Sequence, residues 1–183
     1  RRHRGCALFH LRRAREPHRV YTGRGVADYI RMVGYHMTWI TSTVMRRDLY
    51  MRIKAPEMHD DTRIPQVYLQ MEILKKAPDF AVVAAPFMAA GSGAHLPSGF
   101  NFVEVFIKNY FDLLKIAGDI PPMVLSEEKK RLMEENILFW CERIRKQHLN
   151  LSLEGIFSIV REYYGAEPFY AQVVGRLKRI LQK

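Results

Sequence analysis

His36-Met-Thr-Trp-Ile-Thr-Ser-Thr-Val-Met-Arg46 (HMTWITSTVMR) is dense in β-branched and aromatic residues and contains neither Gly nor Pro. That composition suits a pleated, half-buried surface. Successive side chains on a strand point to opposite faces, so Met37, Trp39, Thr41, Thr43 and Met45 share one face and Thr38, Ile40, Ser42 and Val44 the other. The stretch reads as a strand with a polar stripe on both sides.

Upstream of it, Val26, Tyr29, Ile30 and Val33 recur at helical spacing before Gly34, which predicts a short helix with a glycine stop. Downstream, Arg47 to Ile53 reads as a turn of helix and Lys54 to Asp61, containing Pro56, as a loop. Ile64, Val67, Tyr68, Met71 and Leu74 then share a face, predicting a helix from Thr62 to Lys76 that opens at Asp61 or Thr62 and tolerates Pro65 in its first turn. Asp79 to Ala85 reads as a short buried strand. Residues 91–99 (GSGAHLPSG) read as a flexible or ligand-facing loop, without the spacing of a phosphate loop.

The rest is helical in pattern. Asn101 with Glu104 forms a capping-box signature ahead of Phe102, Val103, Phe106, Ile107, Tyr110, Leu113 and Leu114, and Gly118 with Pro121-Pro122 ends that helix. Ser126 before Glu127 and Glu128 predicts the next start, with Leu132, Met133, Ile137, Trp140, Cys141 and Ile144 facing inward. Ser152 predicts a third cap before Ile156, Phe157, Val160 and Tyr164, and Pro168 the first position of a fourth helix.

A chain of 183 residues, 48% hydrophobic and 26% charged, can bury a real core, which excludes whole-chain disorder. The longest apolar run, Phe80 to Ala90, is interrupted by Pro86 and is too short to cross a bilayer, which takes about 18–20 residues. Two cysteines without a CxxC suggest neither a disulfide framework nor a thiolate metal site. The charge of +10 is uneven: residues 1–24 hold eight arginines against Glu16 alone, a charge of +7, leaving +3 on the other 159 residues. This basic segment shows no clear period, and it reads as a basic tail, as the end of a domain begun elsewhere, or as a shifted start or frame. The chain divides into that segment, a part over 25–99 mixing strands and helices, and a helical region over 100–183.

Three strings in order, GYHMTWITSTVMRRDLY (34–50), HDDTRIPQVYLQMEILKKAPDFAVV (59–83) and GFNFVEVFIKNYFDLL (99–114), resemble the C-terminal half of bacterial family 2 glycosyltransferases that build capsules and surface polysaccharides. The resemblance covers about 120 residues. It implies an α/β chain: the incomplete C-terminal portion of a GT-A, Rossmann-like fold with two or three strands, followed by a mainly helical region. It also implies transfer of a sugar, with inversion, from a nucleotide-sugar donor to a saccharide or lipid-linked acceptor, aided by a divalent metal, Mg or Mn. No DxD triplet occurs here and no βαβ unit precedes residue 36. The donor-binding half and the metal ligands are therefore expected outside these residues, and the chain is expected to be inactive alone. The missing QxxRW motif favours a single-addition enzyme over a processive one. A cytoplasmic setting follows from the family.

The resemblance also assigns residues. An inverting transfer needs one carboxylate to take the acceptor proton, and the place of the family's base is held by Asp60-Asp61, after Arg46-Arg47 and ahead of a helix. Which aspartate acts is open, and the first alternative for Asp61 is an N-cap. Arg46 and Arg47 could fork onto a donor diphosphate or face solvent. Trp39, Thr41 and Ser42 could line a sugar pocket or pack inward. His59 reads as a substrate contact or a loop histidine, and Gln66 as reaching the same site or facing solvent. Arg176, Lys178, Arg179 and Lys183 give the last helix a basic side, either a solvated face or a peripheral contact with an anionic membrane. Two other readings compete: a helical protein-interaction domain without catalysis, and a nucleic-acid-binding module using the arginine-rich start as an electrostatic arm.

Overall fold

The computed structural model describes residues 6–10, 19–39, 43–84, 99–118 and 120–182. A four-stranded mixed sheet is built from β1 (Cys6–His10), β2 (Arg19–Arg24), β3 (Thr43–Met45) and β4 (Asp79–Ala84) in the order β2-β4-β1-β3. β1 runs parallel to β4 with Ala7 opposite Ala81, while β2 is antiparallel to β4 and β3 antiparallel to β1. The arginine-rich start, expected to be a segment without period, thus supplies two of the four strands. Its short runs Ala7-Leu-Phe9 and Val20-Tyr-Thr22 fall within these strands. Arginines flank β2, an edge strand, where charge discourages further pairing; there Arg24 Nη1 donates to Asp79 Oδ1 at 2.9 Å.

Of the strand expected over His36 to Arg46, the described residues form strand only at Thr43–Met45. Gly34–Thr38 is a 3-10 helix instead, with Gly34 at φ +52 and the Thr38 hydroxyl donating to the Tyr35 carbonyl at 2.7 Å. Thr41 and Ser42 lie outside the described residues, as does the loop from 91 to 98. β-propensity measures fit to a sheet surface rather than an intrinsic backbone preference. Here the Met37 and Thr38 carbonyls are taken by side chains of a helix, so that preference loses.

Helix α1 (Gly25–Met32) forms as expected, and α2 (Arg47–Tyr50) follows β3. α3 spans Pro65–Lys76 and opens three residues later than expected. Asp60–Thr62 forms a separate 3-10 turn, and Arg63 at φ +64 breaks the path between the two. Pro65 sits where its missing N–H costs nothing.

Asn101 supplies half of the expected capping box, its Oδ1 accepting the Glu104 N–H at 3.2 Å. A wider π-type stretch, Glu104–Asn109, leads into α4 (Tyr110–Ile116), and Gly118 at φ +93 marks its end. α5 (Pro122–Leu132) starts at Pro122 rather than at Ser126, because a proline at the first position is already set for the helix. It continues through a second π-type stretch, Met133–Ile137, into α6 (Leu138–Lys146). Ser152 belongs to a two-residue parallel pairing of β5 (Phe100–Asn101) with β6 (Leu151–Ser152) and does not cap α7 (Ile156–Tyr164). α8 (Tyr170–Gln182) begins two residues past Pro168.

One hydrophobic core runs from the sheet to the C-terminal helices. Tyr29 of α1 meets Phe80 of β4 edge-on at 4.9 Å between centroids, and Val67, Met71 and Leu74 of α3 are buried beside Tyr110, Phe111 and Leu114 of α4. The inward face read for α5 and α6 is buried at Leu132, Met133, Ile137, Cys141 and Ile144, with Trp140 partly so. The Cys141 thiol is pushed up to about 12 by burial. Among the described residues no helix is long and apolar enough to cross a membrane.

Candidate functional site

α3 organises the region to which the resemblance points. Lys76 Nζ donates to the Arg52 carbonyl at 2.7 Å near the helix C-terminus, and the Tyr68 hydroxyl donates to the Lys54 carbonyl at 3.2 Å in its middle. The chain after α2 is thereby led back along α3 until it reaches the turn at the helix N-terminus. That turn carries His59, Asp60 and Asp61.

The turn is held by its neighbours. The Thr62 hydroxyl donates to the His59 carbonyl at 2.6 Å, and Asn109 Nδ2 donates to the Thr62 carbonyl at 3.1 Å from the π-type stretch. The Arg63 guanidinium lies 5.4 Å from the centre of the Phe100 ring. The His59 ring packs edge-on to Tyr68 at 4.6 Å, leaving its Nε2 buried with no hydrogen-bond partner. Asp60 and Asp61 are exposed and make no ion pair among the described residues. Asp61 is not the N-cap of α3: Ile64 holds that position without a side-chain cap.

Gln66 is buried rather than facing solvent, and its Nε2 donates to the Thr38 carbonyl. One turn on, Gln70 Nε2 donates to the Met37 carbonyl at 2.9 Å, while its Oε1 accepts the Tyr29 hydroxyl. These two glutamines fasten the 3-10 segment onto α3 and so place Trp39, 46% exposed, next to the anchored Thr38. Gln70 was missed in the sequence. Its signal is two glutamines four apart on a helix whose neighbouring positions are Val67 and Met71.

The arginine pair behaves differently. Arg46 forks onto Asp48, Nε donating to Oδ1 at 3.0 Å and Nη2 to Oδ2 at 2.5 Å, and this bonding lowers the Asp48 carboxyl below its usual range. Arg47 opens α2 and is exposed. No hydrogen bond or ion pair among the described residues joins either arginine to Asp60 or Asp61. The arrangement therefore brings together His59, Asp60, Asp61 and Gln66, with Trp39 tied in through Thr38. Neither arginine is bonded to it among the described residues.

Among the described residues no group of three or more His, Cys, Asp or Glu is placed to hold a metal. A single aspartate pair on one exposed turn does not fit an all-protein cation cage, which draws on several oxygen ligands. Comparisons with protein-family models, with curated proteins and with solved structures found no match to this chain.

Proposed function

We propose that this chain is the acceptor-side portion of an inverting glycosyltransferase that uses a nucleotide sugar, with donor recognition supplied by residues that it lacks. One observation carries the reading. Two exposed carboxylates without ion pairs among the described residues sit on a turn braced by Thr62 and Asn109, and Gln66 fastens that turn's helix to the segment bearing the exposed Trp39.

The chemistry requires a carboxylate that takes the acceptor hydroxyl proton as the oxygen attacks the anomeric carbon opposite the departing diphosphate. Asp61 or Asp60 has the access for this role, and a tryptophan face suits the C–H surface of a sugar. The Arg46 fork, engaged by Asp48, would have to leave its partner to hold a phosphate. Arg47 is the readier of the two.

The test uses this chain extended upstream through a DxD-bearing half, assayed for sugar transfer from UDP-, GDP- and dTDP-sugars with Mn²⁺. Asp61→Asn is expected to keep the fold and lower transfer by about 10²-fold, as for loss of a general base; if Asp60→Asn has the effect instead, the base is Asp60. Transfer unchanged in both variants, or none by the extended chain, rejects the proposal.

A further inference from the structure

α6 and α8 pack against each other and leave a groove of about 370 Å³ lined by Glu142, Arg145, Lys146, Arg176, Arg179 and Ile180. Four of the six are cations. The one carboxylate is engaged, since Lys146 Nζ lies 2.6 Å from Glu142 Oε1. None of the three arginines has an acidic partner among the described residues. Elsewhere Arg24, Arg46 and Arg131 are each paired with an aspartate or glutamate.

Two of these arginines, Arg145 and Arg176, are partly buried. A guanidinium withdrawn from water is costly unless it is paired and hydrogen-bonded. Arg145 is also fixed: its Nη1 donates to the Ile180 carbonyl, aiming the rest of the fork into the groove. Arg179 Nε donates to the Gly175 carbonyl at 3.3 Å, which leaves both of its terminal nitrogens uncommitted. Cations in the last turn of a helix favour its dipole. That requirement is met by one cation per helix and does not call for three guanidinia converging on one groove.

We infer that the α6–α8 groove is a binding site for a phosphate-bearing anion, held by Arg145, Arg176 and Arg179. Guanidinium forks match phosphate oxygens with two parallel N–H donations, and such charge-assisted bonds are among the strongest available to a side chain. The groove has room for a diphosphate, and the ligand can be a free phosphate compound or the headgroup of an anionic lipid. The site lies on elements that carry none of the residues of the proposed transfer site, and it stands whether or not the glycosyltransferase reading does.

The test titrates the chain with inorganic pyrophosphate by calorimetry and pellets it with phosphatidylcholine vesicles made with and without phosphatidylglycerol. Arg176→Glu/Arg179→Glu is expected to weaken binding by at least about tenfold, the scale set by losing charge-assisted bonds. The matched reversal Arg161→Glu/Lys130→Glu, on exposed positions of α7 and α5, is expected to change it by less than about twofold. Arg176→Gln/Arg179→Gln repeats the comparison with a gentler change, and circular dichroism checks that each variant folds. Pyrophosphate binding without pelleting identifies a free phosphate compound. Pelleting only with phosphatidylglycerol, lost in the groove variant, identifies a lipid headgroup. The inference is overturned if neither probe binds, or if both double reversals weaken binding equally.

Discussion

At Gly34 the backbone takes φ +52, and the atoms that a Cβ would meet there belong to the Arg131 guanidinium and the Glu128 carboxylate. This is an ion pair inside the protein: the Glu128 side chain has no exposure, and its oxygens accept from Arg131 and, at 2.8 Å, from the Tyr110 hydroxyl. Arg131 also donates to the carbonyls of Ile30 and, at 2.8 Å, Arg31, satisfying groups at the end of α1. Burial pushes the Glu128 carboxyl up while Arg131 and Tyr110 pull it back. A residue with a side chain at position 34 would be strained by its φ and would also displace the guanidinium. Strained positive φ alone costs about 1–3 kcal/mol, and disturbing a buried pair adds to it. Gly34→Ala is therefore expected to lose about 2–4 kcal/mol in urea unfolding with an unchanged m-value. A loss of only about 1 kcal/mol would mean that Arg131 moves aside freely, and one below about 0.5 kcal/mol, the range of ordinary surface changes, would mean that the backbone strain is relieved as well.

Among the elements, α3 determines the shape of the candidate site. Gln70 bonds both the Met37 carbonyl and the Tyr29 hydroxyl. Gln70→Leu keeps the bulk but removes both of these buried hydrogen bonds, a loss of about 1–3 kcal/mol. The loss should be local as well as global: amide exchange over residues 34–38 is expected to speed up more than exchange in α7. Equal acceleration in both would show that the glutamines do not hold that segment in particular. This dependence also explains why residues 36–46 misled as a sequence. Their β-branched pattern is visible, whereas the side chains that capture their carbonyls lie 28 and 33 positions away. α1, α4 and the α5–α6 rod were legible because an apolar face at helical spacing survives in any environment. The starts of α3 and α5 were not, because Asp61 and Ser126 match a capping pattern that Pro65 and Pro122 pre-empt. β1 and β2 were hidden by the arginines around them: they are only five and six residues long, and β2 offers just Val20 and Tyr21 as apolar residues. The order of Asp60, Asp61 and α3 could be read from the chain, but not the burial of Gln66 or the engagement of Arg46 by Asp48.

Over the whole molecule, the packing of aromatic helices sets the behaviour in alkali. Burial raises the phenol of Tyr35 to about 12, with Glu135 adding to it, and raises the Cys141 thiol to about 12. Burial raises Tyr110 and Tyr164 well above their usual value, aided in both by the charge of Glu128. Tyr163 is raised by burial and by donating to both Asp112 oxygens at 2.9 Å. A group whose pKa is higher in the folded state stabilises the fold fully below its unfolded value, and that stability is lost as pH rises through the folded value. The unfolded values are 9.0 for the thiol and 10.0 for the phenols, so the contributions begin to fall away from about pH 9 to 10, and those of Tyr35 and Cys141 are lost by about pH 12. The carboxylates act at the other limit. Glu167, where Lys129 and Ser126 outweigh burial, and Asp112, where Lys115 and Tyr163 do, are lowered and lose their contribution as pH falls. Far-UV circular dichroism and tyrosinate absorbance, followed together in alkali, should show helix loss and ionisation of the buried phenols as one cooperative step. Tyr163→Phe, with one fewer phenol to ionise, should move that step to higher pH. Ionisation of all the phenols around 10.0 while the helices persist, the buried ones included, would mean that the core admits their charge, and that these five side chains do not link packing to pH.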